Sequence, residues 1–570
     1  MTRAHLREDV GATGDELARL QGELTAIRAE LIAAPAEQQA SLAAVSAGYK
    51  ESARNFLHYL VLRRHDLRPL QLRLAALGLS SLGRAESHVQ ATIDAVLAVL
   101  HRLRSGDFKP PPEPAAVDFQ GGQRLLAAHT DALLGPAPSG RQVRIMVTMP
   151  SEAARDGSLI RDLLQQGMDC MRINCAHDDA AAWSSMVMYV RRAERELGRT
   201  CRIVMDLAGP KLRTGPLQPG PQVVRVHPSR DVYGKVTAPA RIFLTDEAAP
   251  QAPPSPASAC LPLPASWLAR LRAGDEVTLT DARKAERKLR ITQVGDGGCW
   301  AESRKTAYLV PGTVLRRARG GKSTDPEAVI GALPPLAGGL HLQQGDPLIL
   351  TRDCQPGGPA AYDAKGRIKT PAMIGCTIPE VFDAVRPGEP IWFDDGKIGG
   401  VIEKAEGARL LVRITQAGPD GEKLRSDKGI NLPESNLGLS ALTAKDQADL
   451  SFVAAHADVV ELSFANTAED VERLQQHLAH RQNPPPAIVL KIETRRGFDN
   501  LPEMLLTAMR GPCCGVMIAR GDLAVECGFE RLAEVQEEIL WLCEAAHVPV
   551  IWATQEIGRA SCREKSVFAC

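Results

Sequence analysis

The chain has 570 residues, 44% hydrophobic and 24% charged, and its 68 Lys+Arg are balanced by 68 Asp+Glu. Zero formal net charge leaves no bulk attraction for a polyanion, which sets nucleic-acid partners aside. No apolar run reaches the roughly 18 residues of a membrane span and the N-terminus lacks a hydrophobic signal core, so no membrane partner is expected and the expected compartment is the cytoplasm.

Length alone favours several domains. The 13 cysteines contain no C-x-x-C pair and read as reduced thiols rather than metal ligands. Residues 1–106 have a helical texture: Leu17, Leu20, Leu24, Ile27 and Leu31 recur at three- and four-residue steps, and Phe56 to Leu103 repeats the pattern. Lys109 to Pro114 is an extended proline-rich spacer, and residues 107–143 serve as linker and lead-in.

From Arg144 short β-branched runs alternate with amphipathic helical stretches. RIMVTM, CMRINCA and RIVMDLAG form three strands in residues 144–214; VVELSF, AIVLKIE, CCGVMIAR and VPVIWATQ form four more in residues 429–555. Seven strands of this kind predict an α/β fold, a (β/α)8 TIM-type barrel that is incomplete. Residues 215–428 interrupt it with Pro, Gly and alternating strands, and are expected to form an inserted all-β lid domain. Two of its stretches, 273–294 and 387–404, look alike; the readings are a degenerate duplication or two unrelated hairpins of similar turn chemistry.

In such a barrel the active site gathers at the C-terminal strand ends, and polar residues are dense there. Arg172 and Asn174 share a strand face, with His177 beyond. Lys491 and Glu493 repeat the arrangement. Asp206 ends its strand ahead of Lys211 and Arg213; Arg520, Gly521 and Asp522 end another, and Thr554 a last one. Glu493 and Asp522 suit Mg²⁺, which takes one or two protein oxygens and completes its shell from substrate and water. Lys491, Arg172 and Arg213 suit a transferring phosphoryl group, whose chemistry needs positioning and charge stabilisation. Each residue also has an ordinary structural reading, as a salt-bridged strand end or a turn; the shared position on successive strand ends favours the site.

Carried by MRINCAH, MDLAGPKLRTG, DDGK, SDKGINLP, LKIE, MIARGDL and WATQ in that order, the sequence resembles the pyruvate kinase family. The resemblance covers Arg144 to Arg213 and about Lys428 to Gln555, and more weakly the region of Asp395; residues 1–143 have no counterpart in the common family architecture. It implies transfer of phosphoryl from phosphoenolpyruvate to ADP, giving pyruvate and ATP in glycolysis, with Mg²⁺ (or Mn²⁺) as cofactor. It makes Lys491 the stabiliser of the transferring group, Glu493 and Asp522 the metal ligands, and Arg172 and Arg213 phosphate contacts. Asn174 and His177 line the nucleotide side, Gly521 joins the phosphate-binding set, Thr554 sits where the enolate is protonated, and Asp395 is a lid residue that swings toward the nucleotide. A homo-oligomer is compatible with the resemblance.

Three positions depart from K⁺-requiring members: Ala176 and Leu207 stand where those place hydroxyl ligands, and Lys211 stands where they place a Glu, which resembles the K⁺-independent branch; Asn174, Asp206 and Lys211 therefore read as a monovalent-cation site whose ion is replaced by an ammonium beside Asp206, and K⁺ is not expected to be required. The insert is also much longer than the usual lid. Competing functions are a Mg²⁺-dependent barrel lyase or aldolase acting on pyruvate enolate, and a non-catalytic regulatory or scaffold protein working through the N-terminal helices. Glu556–Cys570 falls outside the pattern and resembles a translated sequencing-adapter read-through, so it is taken as a non-native tail that leaves the barrel without its eighth strand.

Overall fold

The computed structural model describes residues 3–107, 114–295, 297–319, 322–323, 327–479, 484–553 and 566–569. The chain divides into two compact units, one of residues 1–213, 378–407 and 429–570, the other of residues 214–377 and 408–428.

The first unit holds the barrel. Its parallel strands are β1 (Arg144–Thr148), β2 (Cys170–Asn174), β3 (Arg202–Asp206), β4 (Val459–Leu462), β5 (Ala487–Ile492), β6 (Cys514–Ala519) and β7 (Val550–Ala553), each hydrogen-bonded to the next. The eighth place is not empty, as the sequence suggested. A strand β8 (Ser566–Ala569) closes the ring, antiparallel to both β1 and β7, where two open edges would otherwise present unpaired backbone groups. The rest of the tail, residues 556–565 and 570, lies outside the described residues, as does Thr554.

Alternation along the strands sorts the barrel interior into layers. Met146, Cys170, Val204, Val459, Val489, Met517 and Ile551 make one apolar cluster, and Leu133 and Leu134 join it from below. These two leucines end helix α4 (Gly121–Leu134), which occupies part of the segment read as lead-in. A Cβ at Gly515 would come within 2.5 Å of Leu133 Cδ2, so only glycine admits the plug.

Helices α1 (Arg3–Glu37), α2 (Lys50–Leu62) and α3 (Val89–Ser105) share a core with the barrel's outer helices: Leu20, Leu24, Leu31, Phe56 and Ile93 are fully buried in the cluster that also holds Leu505, Ile539 and Cys543. The apolar stripe of α1 is therefore spent inside the unit. Polar contacts fix the docking. Tyr49 Oη accepts from Cys514 N at 3.2 Å and stacks on His129; Asn55 Nδ2 donates to Ala545 O at 2.9 Å and to Glu86 O at 2.8 Å. His547 Nδ1 meets Ser52 Oγ at 3.0 Å and its Nε2 meets Ser87 O at 2.9 Å.

The β-rich segments run twice through one order of elements. In the first, Ala240–Asp246 pairs in parallel with Ala259–Leu263, the one-turn helix Ala265–Leu268 follows, Glu276–Thr280 and Glu286–Gly295 form a hairpin, and Gly298–Ser303 returns antiparallel to the first strand. In the second, Pro347–Thr351 pairs in parallel with Ala372–Gly375, the helix Val381–Ala384 follows, Pro390–Phe393 and Ile398–Ala405 form the hairpin, and Arg409–Gln416 returns to Pro347–Thr351. The turn into each hairpin is the same. Gly274 (φ 95°) donates to Ile291 O, which is answered by Ile291 N to Asp275 O; Gly388 (φ 97°) and Glu389 do the same with Ile402. Leu244, Leu261, Val277, Leu289 and Leu315 give the first run its own core.

Candidate functional site

Above the apolar layers the barrel interior turns ionic. Parallel pairing places Asp206 beside Asn174 on one side and beside Glu461 on the other, so the three side chains share one face of the sheet. Arg172 reaches across them: Nε donates to Glu461 Oε2 at 2.7 Å, Nη1 to Thr148 Oγ1 at 2.9 Å, and Nη2 to Asp206 Oδ2. Lys491 Nζ lies 3.0 Å from Asp206 Oδ1, 3.2 Å from Glu493 Oε1 and 2.7 Å from Ser463 Oγ, which in turn donates to Asp206 Oδ1 at 3.0 Å. Glu493 Oε2 accepts the backbone N–H of Phe464 at 2.7 Å. Phe464 itself sits at φ 53°, a strained conformation for a bulky residue, and that strain is held at the carboxylate.

Burial sets the electrostatics. It works against the charged forms of Arg172 and Lys491, but Asp206 and Glu461 around the first, and Asp206 and Glu493 around the second, outweigh it and hold both cations more firmly than usual. Burial likewise opposes the Asp206 carboxylate, and Arg172 and Lys491 overcome it, leaving Asp206 below the ordinary range. Glu493 goes the other way: burial pushes it up, Lys491 pulls it down, and the facing charge of Asp522 pushes it up again. For Glu461 burial again leads and raises its pKa, with Arg172 opposing and Asp206 adding to the rise.

These groups open onto a cavity of about 280 Å³ lined by Arg172, Asn174, His177, Asp206, Lys211, Arg213, Lys491, Glu493, Gly521 and Asp522, among others. Ten of the residues singled out in the sequence thus meet around one space. Asp522 enters from the first turn of helix α5 (Arg520–Cys527), where acidic side chains are favoured, and Arg520 Nε ties that turn to β7 through Ala553 O at 3.0 Å. His177 is exposed at the mouth, and Asn174 Oδ1 accepts the backbone N–H of Ala176 at 2.9 Å.

Lys211 requires a correction. Its ammonium was expected beside Asp206; instead it meets both oxygens of Asp522, at 3.1 and 3.0 Å. Asp206 already has Arg172, Lys491 and Ser463, so the uncommitted carboxylate attracts the lysine. Asp395 is not among the side chains lining the cavity. It stands exposed at the tip of the turn Asp394–Gly396, three successive residues of positive φ; a Cβ at Gly429 would lie 3.9 Å from Asp395 Oδ1 and 3.5 Å from Lys211 Cε.

Glu461 and Ser463 were passed over in the sequence. The available signal was a carboxylate and a hydroxyl two residues apart in VVELSF, an otherwise apolar strand, where an interior ion needs a partner.

The donor set suits a divalent cation. Glu493 and Asp522 supply hard oxygens to one cavity, and their mutual repulsion is what such an ion would relieve. Among the described residues no three or more His, Cys, Asp or Glu side chains converge as a metal-binding group.

The sequence profile described as "Pyruvate kinase, barrel domain" matches residues 140–240 and 342–563, more than half of the chain. Relatives include the pyruvate kinase of Clostridium acetobutylicum, 34% identical over 177 residues (31% of this chain, 36% of that protein), and that of Schizosaccharomyces pombe, 36% identical over 173 residues (30% and 32%). The pyruvate kinase of Geobacillus stearothermophilus is 31% identical over 222 residues (38% and 34%). The matched stretch spans about a third of the length of these relatives. On the profile match, and with the strand-end residues gathered as described, the chain belongs to the pyruvate kinase family.

Proposed function

We propose that the chain transfers the phosphoryl group of phosphoenolpyruvate to ADP, forming pyruvate and ATP. The observation that carries this reading is the meeting of Lys491, Arg172, Glu493 and Asp522 around one cavity. Lys491 holds its proton too firmly for acid–base work near neutral pH, which leaves stabilisation of charge on the migrating PO₃ unit as its role. Arg172, fixed by Thr148, Asp206 and Glu461, orients the phosphoryl oxygens, and Arg213 adds a further cation to the cavity wall. Glu493 and Asp522 would hold Mg²⁺, or Mn²⁺; bound there, the ion would neutralise and orient phosphate oxygens. Lys211 already shares Asp522, so a fixed positive charge stands in the cavity. That favours activity without K⁺, since a second monovalent cation in the same space would be repelled. Asn174 and His177 take the nucleotide side, with the first-turn Gly521 near phosphate. Thr554 keeps the enolate-side role and Asp395 that of a lid residue. The acting compartment is the cytoplasm, and the substrates are the small-molecule partners.

A lactate dehydrogenase-coupled assay tests this. Pyruvate formed from phosphoenolpyruvate only when ADP and a divalent ion are present supports phosphotransfer. Pyruvate consumed only when an aldehyde is added, or substrate bound without turnover, would replace it with the lyase or the scaffold.

A further inference from the structure

Glu461 is the least expected ion in the barrel. It lies inside a run of apolar residues, is 0% exposed, and contributes nothing to the cavity wall. One of its carboxylate oxygens holds Arg172 Nε; the other has no hydrogen-bond partner among the described residues. Burying a carboxylate with half of its acceptor capacity unused is costly, so its place needs a reason.

We infer that Glu461 is a positioning residue for Arg172, holding the guanidinium edge from behind while competing with the bound phosphoryl group for its charge. The inference rests on the reading of Arg172 as a phosphoryl contact. With Nε taken by Glu461, one N–H of Nη1 by Thr148 and one N–H of Nη2 by Asp206, one N–H remains on each terminal nitrogen. A guanidinium so held offers a two-pronged contact to two oxygens of one phosphoryl group. The charge count gives the second half. Within the cluster directly around Arg172, two cations, Arg172 and Lys491, face three carboxylates, Asp206, Glu461 and Glu493, an excess of one negative charge beside the guanidinium before any ligand arrives. Glu461 thereby weakens ground-state attraction for an anion while keeping the orientation needed later, which spares binding energy for the transition state.

Charge and orientation separate in two variants. Glu461→Gln keeps an acceptor for Arg172 Nε and deletes the charge; Glu461→Ala deletes both. Calorimetric titration with phosphoenolpyruvate in the absence of ADP should give a Kd about tenfold tighter for both variants than for wild type. In the coupled assay kcat should fall about tenfold in Glu461→Gln, in step with the tighter ground state and with kcat/KM little changed, and more than about a hundredfold in Glu461→Ala, where the orientation is lost as well. Unchanged Kd and kcat in both variants would overturn the inference. So would a parallel loss of affinity and kcat in both that follows a fall in Tm, because a merely structural residue would not separate the two parameters. Wild-type binding without turnover would remove the phosphotransfer reading, and the Kd ratios would still decide the case for Glu461. No binding by wild-type protein would overturn both.

Discussion

The two ends of the barrel solve the same problem in opposite ways. At the C-terminal end of the strands, Arg172, Asp206, Glu461, Lys491 and Glu493 are buried as ions and compensate one another within about a hydrogen-bond length. At the helix-covered end, Tyr49, Asn55, His129 and His547 are buried without ions. His547 accepts from Ser52 and donates to Ser87 O, and burial pushes its pKa down to about 4, so it stays neutral. The Tyr49 hydroxyl is pushed far above its ordinary range by burial, then by the facing Cys514 and Cys513. The strand-end cluster thus meets burial by pairing cations with carboxylates, whereas these four residues meet it with neutral hydrogen bonds that hold the helices.

The sharpest break in this contrast is Lys491→Met. Turnover should fall by at least about a thousandfold. Stability should fall by about 3 kcal/mol, because Asp206 and Glu493 lose a shared counter-ion. Stopped assays and urea melts measure the two; an active variant would dismiss the ionic end as mere architecture.

Acid should strike the other end next. His58 and His547 both have folded pKa values lowered to about 4, burial being the first cause in each. A depressed histidine contributes stability that is complete above its unfolded pKa, about 6.5, and is lost as pH falls toward 4. Unfolding free energy should therefore be about 3 kcal/mol lower at pH 5 than at pH 7. His547→Asn should remove about half of that difference, and an unaltered pH slope would show that the histidine is not the source.

Asn55→Ala should cost about 2–3 kcal/mol, since Val89 N, Glu86 O and Ala545 O lose their partner together. kcat/KM should remain within about twofold; a large kinetic effect would show that the two ends communicate. The smallest effect is expected from KCl at constant ionic strength, which should change the rate by less than about twofold if Lys211 supplies the fixed charge. A many-fold activation would remove it from that role.

Much of the ionic end was legible in the sequence because the barrel strands are short, apolar and buried on both faces, so residues such as Asp206, Lys491 and Asp522 stand out where the runs end. Glu461 was hidden for the same reason: one carboxylate within an apolar run does not break the strand pattern. The partner of Lys211 could not be read, because Asp522 lies 311 residues away and the nearer Asp206 is taken by other cations. Helix α4 was lost in a segment dominated by its proline-rich start, although Leu133 and Leu134 plug the barrel. The order of strands in the β-rich segments shows repetition that residue similarity leaves ambiguous, since pairing and turn geometry persist while side chains change.

The chain leaves the barrel's unit at Arg213, returns to it for residues 378–407 and again from Gly429, and Arg213 and Gly429 bridge each other antiparallel. What is spliced between them is, to the barrel, the closure of a loop whose ends are already clasped. Closure entropy grows only with the logarithm of length, about 0.6 kcal/mol for each doubling. A tandem copy of a β module could therefore be accommodated at this doorway for less than the worth of one ordinary buried hydrogen bond.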